Sequence, residues 1–175
     1  MQRKTLLLGS ISVTVVALVI LGLLLLPLFV VPKAYFSLQN KVESFYVHYE
    51  DGKNMTVNPL TSDGAKLKSG SEEFMNNLFG QLLWAVSDQE IAIIRNSTEF
   101  VEIILKETCN FTFYVRASAV YRTENTHRML LIVSGSHSGV VLFARVEMEE
   151  IHWFGAYGVD SGVKEFQALL GSLLA

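Results

Sequence analysis

The sequence predicts an α+β protein: an N-terminal transmembrane helix followed by one small domain in which an antiparallel β-sheet packs against two helices. Three observations carry this reading. The run Leu6–Leu26 is apolar and uncharged over a bilayer's thickness, several later segments alternate apolar and polar residues with a period of two, and two others repeat apolar residues at spacings of three and four. A chain of 175 residues holds one ordinary domain plus an anchor. The division falls between residues 1–36, a cytoplasmic tip and signal anchor, and residues 37–175, an extracytoplasmic domain.

The anchor comes first in the chain. LLLGSISVTVVALVILGLLLL spans about 31 Å as a helix at 1.5 Å per residue, which matches the hydrocarbon core. Ser10, Ser12 and Thr14 are tolerated because a hydroxyl in such a helix bonds the carbonyl one turn back. A cleaved signal would have a shorter apolar region, about 7 to 15 residues, and would end in an A-x-A-like pattern, whereas Ala34 here has Pro32 two places before it. Arg3 and Lys4 precede the run and Lys33 alone follows closely, so the N-terminus is expected in the cytoplasm and the later residues outside. The lipid bilayer is thus the first expected partner, through residues 6–26.

All 17 acidic residues follow Phe36, against 11 of the 14 basic ones, which leaves the domain at a net charge of −6. Such a domain has no electrostatic reason to seek nucleic acid, whose binding depends on Lys and Arg neutralising phosphates. The single cysteine, Cys109, excludes an internal disulfide and reads as a small buried side chain. Asn54-Met-Thr, Asn96-Ser-Thr and Asn110-Phe-Thr are candidate glycosylation sites on the outer side, three triplets where chance composition gives roughly one.

Residues 33–42 form a short mixed linker or the first approach to the domain. Phe45, Val47 and Tyr49 alternate with Tyr46, His48 and Glu50 as a half-buried strand does, and Met55 and Val57 resume the pattern after Asp51-Gly52, the pair that favours a type I′ hairpin turn. After a polar loop over Asn58–Gly70, Ser69 and Glu72 suggest a capping box. It would open a helix whose buried stripe is Phe74, Leu78, Leu82 and Val86, with Trp84 at its margin. Strands are expected over Ile91–Ile94, Phe100–Leu105, Phe111–Tyr121, Met129–Val133 and Val140–Met148, the last with Ala144, Val146 and Met148 inward. Ser134–Gly139 is a flexible hairpin loop, and Ile151–Tyr157 forms one more strand or a bend. Asp160 or Ser161 then caps a final helix built on Val163, Phe166, Leu169, Leu170, Leu173 and Leu174. Both helices are expected on one face of an antiparallel meander.

Chemistry is sparse. His48, His127, His137 and His152 fall in separate elements without the pairing of a zinc site, and Ser-Gly-Ser-His-Ser-Gly lacks the strand–elbow–helix setting of a nucleophile motif. No cofactor, metal or catalytic residue is therefore assigned. Glu147, Glu149 and Glu150 beside His152 read as a solvated face, and Trp153, Phe154 and Tyr157 as the aromatic segment that could contact a partner. These features point to a non-enzymatic module, anchored in the membrane, that meets another membrane or envelope protein through a sheet edge or that aromatic segment. The alternative is a small-ligand-binding domain with a pocket between helices and curved sheet; a weaker one is an envelope enzyme using His152 and Glu150.

Overall fold

The computed structural model describes residues 36–84 and 86–174. They form a small α+β domain of three helices and a seven-stranded antiparallel sheet in the order β2-β1-β4-β5-β6-β7-β3. The expected anchor, Leu6–Leu26, lies outside the described residues; among those described, no helix is long and apolar enough to cross a membrane.

The first hairpin joins β1 (Val42–His48) to β2 (Asn54–Val57). Its turn differs from the type I′ expectation. Gly52 alone takes a positive φ, 81°, while its N–H returns to the Tyr49 carbonyl at 2.9 Å, giving the three-residue loop in which a type I turn ends on a left-handed glycine. Ahead of β1, the expected linker is partly docked: Phe36 and Leu38 are buried, and their N–H groups donate to Asn76 Oδ1 and Glu72 Oε1.

Helix α1 (Ser62–Asn76) starts seven residues before the predicted Ser69 cap, because Thr61 Oγ1 accepts from Gly64 N at 3.1 Å and fixes the N-terminus there. Glu72, predicted to close a capping box, instead ties down the incoming chain. The helix also ends early. Leu78–Gln81 is strand β3, paired with β7, so Leu82, predicted in the buried stripe, is exposed, as is Leu83 beside it. An available strand edge on β7 satisfies both the backbone and Leu78, and this tertiary pairing outweighs the local helical period.

The segment Ile91–Ile94 is not a strand but the centre of α2 (Asp88–Ser97). Ser87 accepts from Glu90 N while the Glu90 carboxylate accepts from Ser87 N, a capping box that identifies the helix once its spacing is noticed. Two long strands follow, β4 (Phe100–Val115) and β5 (Val120–Ile132), which pair from Phe100↔Ile132 to Val115↔Val120 with a register shift between Ile104 and Cys109. The predicted strand Phe111–Tyr121 is thus broken by the turn between them, where Ala119 has φ 52°.

β6 (Val140–Glu147) turns into β7 (Glu150–Val159) through Met148 and Glu149. Val146 and Met148 are exposed rather than inward, because the hairpin projects beyond the covering helices. On β7, Gly155 at φ 58° sits in a bulge that shifts register between Leu142 and Phe143. The extra residue places Phe154 and Tyr157 on one face and Trp153 and Ala156 on the other. Helix α3 (Val163–Ser172) closes the chain; its N-cap is Gly162, not Asp160 or Ser161, and Asp160 pairs with Arg116 at 2.7 Å.

Both sheet faces are covered. Phe74 of α1 and Phe166 and Leu170 of α3 close over Phe45, Ile103, Phe113, Leu131 and Phe143, which is the predicted two-helix layer. Ile91 and Ile94 of α2 cover Phe100, Leu130, Ile132 and Leu142 on the opposite face, a layer the sequence reading lacked. At one sheet end, Ala117 N donates to the Phe79 carbonyl at 2.7 Å and Arg116 reaches Asn77 and Asp160, so the β4–β5 tip curls onto β3.

Candidate functional site

Helix α2 covers only the middle of its sheet face. Toward the β1–β2 hairpin that face is left as an open cleft of about 430 Å³. Alternation along the strands decides what lines it: Ser44, Tyr46 and His48 from β1, Asn54 and Thr56 from β2, Phe100 and Glu102 from β4. Arg128 comes from β5, and Arg95 and Asn96 from the last turn of α2.

Glu102 is the central group. It is 4% exposed, and its carboxylate accepts from Arg95 Nη2 at 2.8 Å and from Arg128 Nη1 at 2.9 Å. A carboxylate out of water needs such partners, since its desolvation costs several kcal/mol even after relaxation. Arg95 also lies 5.8 Å over the Trp153 ring, and its position at the C-terminus of α2 suits a cation to the helix dipole. Each guanidinium uses one nitrogen on Glu102, and the Nε of each has no acceptor among the described residues. Two cations against one anion leave the cleft locally positive on a domain of net negative charge.

The opposite wall is aromatic. His48 stacks on Phe100 with centroids 5.0 Å apart and 18° between planes, and Nδ1 of the same ring is hydrogen-bonded to Asn54 Oδ1. Tyr46 packs beside Phe100 at 6.1 Å. The arrangement offers charged donors at the base, flat apolar faces on one side, and amide and hydroxyl groups at the rim.

The predicted contact segment does not form one patch. Trp153 is half-buried beside Arg95, Phe154 is half-buried under the Arg145 guanidinium at 4.5 Å, and Tyr157 is 0% exposed. The Gly155 bulge turns Tyr157 into the core, where its hydroxyl donates to Glu124 and burial pushes its pKa up, so it is not available as a surface contact. Of the triplet asparagines, Asn54 and Asn96 are exposed at the cleft, and Asn110 is exposed on β4, hydrogen-bonded to Asn125 at 2.8 Å. Thr98, which completes the Asn96 triplet, is buried with its hydroxyl on the Ile94 carbonyl.

His137 stacks on Trp84 at 4.5 Å, and His152 stands 3.8 Å from Glu150 on an exposed stretch rather than in a cleft. Cys109 is buried. Among the described residues no three His, Cys, Asp or Glu side chains converge as metal ligands. Sequence reasoning missed Arg95, Glu102 and Arg128. One signal was present: an acid inside the apolar run FVEIIL must find a cation or leave the core. No family model matches the chain, and no curated protein or solved structure does either.

Proposed function

We propose that the chain is a membrane-anchored, extracytoplasmic binding domain, non-enzymatic, which holds a small ligand in the cleft between α2 and the β1–β2 hairpin. The observation that carries this reading is the convergence of Arg95, Arg128 and Glu102 at the base of a concave site walled by Tyr46 and Phe100. Ligand sites combine apolar and aromatic walls with a few convergent polar groups, and that combination is met here. The anchor, Leu6–Leu26, would hold the domain at the outer membrane surface.

A thermal-shift panel of neutral and charged small molecules, run on the full chain in detergent micelles, tests it. A ligand at a hundred times its Kd adds about 2.7 kcal/mol, which is several degrees in Tm for a domain of this size. At least one chemical class should produce that shift, and Tyr46→Ala should abolish it. A panel without effect would overturn the reading.

A second reading, docking to another membrane protein, rests on β2, a four-residue strand at the end of the sheet whose outer edge pairs with no strand among the described residues. Affinity capture from native membranes compares Thr56→Pro, which removes an edge N–H but also sits in the cleft lining, with Tyr46→Ala, which changes the cleft alone. A protein partner lost in Thr56→Pro and kept in Tyr46→Ala would favour docking.

A further inference from the structure

Resting on the cleft reading, we infer that the ligand is a small hydroxylated monocarboxylate, the chemistry of a sugar acid, with its carboxylate against the Arg95 and Arg128 guanidiniums and its hydroxyls on the rim. Charge sets the first half of the assignment. Glu102 neutralises one of the two cations, and the cleft lining holds no other carboxylate, so the site carries about one unit of uncompensated positive charge. Guanidinium groups present planar, paired N–H donors that match a carboxylate, and here each donates to Glu102 through one nitrogen while its side chain stays partly exposed, 38% for Arg95 and 27% for Arg128.

The net charge of the domain limits the anion. With −6 beyond Phe36, an extended polyanion such as nucleic acid or a phosphate-rich surface meets repulsion outside the cleft, whereas a small monoanion feels only the local field. The remaining lining decides the body of the ligand. Tyr46, half-buried beside the buried Phe100 ring, offers a flat face for C–H groups, while Asn54, Thr56, Asn96 and Ser44 offer amides and hydroxyls that pair with hydroxyls rather than with bare hydrocarbon.

The test is calorimetric titration of the full chain in detergent with four probes: glucuronate, glucose, benzoate and inorganic phosphate. Glucuronate is expected to bind at least about tenfold more tightly than glucose, from hydrogen bonds to charged donors, and more tightly than benzoate or phosphate; its affinity should fall as salt rises. Two variants move in opposite directions. Arg95→Met keeps an unbranched stem but removes the guanidinium that lies over Trp153, and should weaken glucuronate about tenfold. Glu102→Gln removes the competing anion and should tighten it. A merely structural role for the triad would weaken binding in both variants, so the opposed signs support the assignment, and Tm measured for each variant identifies any that fails to fold.

Equal binding of glucose and glucuronate, tighter binding of phosphate, or weakening in both folded variants overturns the sugar-acid assignment. If none of the four probes binds while the wider panel finds a ligand sensitive to Tyr46→Ala, the assignment falls and the binding domain stands. If neither experiment finds a ligand, both fall.

Discussion

Glu99 and Glu102 stand three residues apart around the start of β4, and both are nearly out of water, yet their surroundings differ in kind. Glu102 has two guanidiniums; among the described residues Glu99 has only the Gln167 amide, at 3.1 Å. Burial holds the Glu99 carboxyl above its ordinary 4.5, the Gln167 hydrogen bond pulls the other way, and Glu50 pushes it further up. A carboxyl raised in the folded state binds its proton more tightly there than in the unfolded chain. Its share of stability is therefore full below about pH 4.5 and is lost as pH climbs through the raised folded value. Glu99→Gln keeps the shape and the Gln167 contact without the charge. It should raise Tm at pH 7 and flatten the gain in Tm that wild type shows between pH 7 and pH 5, measured by differential scanning calorimetry. A wild-type Tm that falls steadily over that interval while the variant tracks it would remove Glu99 from the account. Neither glutamate's partners were legible in the sequence, because they lie 7, 26 and 68 residues away.

At the scale of elements, the β6–β7 hairpin carries visible strain. Met148 and Glu149 connect Glu147 to Glu150 with φ of 49° and 71°, the left-handed pair that a type I′ turn demands and that side chains disfavour. Met148 is also fully exposed, so it gains nothing from burial. The double change Met148→Asn with Glu149→Gly supplies the residues this turn prefers and should stabilise the domain by about 0.5–1 kcal/mol, read as a rise in the urea midpoint at unchanged m-value. No rise would mean the turn relaxes in solution. Alternation did locate β6, as it located β1, β2 and the Phe111–Val115 half of β4, since a period of two is written into each segment, while β7 could be read only as a strand or a bend. It failed at α2 and β3. Ile91–Ile94 is too short an apolar run for its period to be read, and the Phe74 stripe continues smoothly past the point where Asn77 ends α1.

For the whole molecule, the proposed membrane location rests on the stretch ahead of the domain. The full chain is expected to stay with membranes through alkaline carbonate extraction, and protease added to sealed vesicles should reach residues beyond 36 only from the outer side. Release by carbonate would remove the anchor from the proposal and leave the cleft's chemistry unchanged. What the sequence by itself determined was local: which segments alternate, where the final helix runs, that Leu6–Leu26 is apolar over a bilayer's thickness, and that the domain is acidic. The tertiary structure alone decided that Leu78–Gln81 would abandon a helix for the free edge of β7, that a third helix would cover the second face of the sheet, and that Arg95, Glu102 and Arg128 would meet. The physical reason is that backbone periodicity depends on neighbours in the chain, whereas an open strand edge or a buried charge is satisfied by whichever group the completed sheet brings within reach.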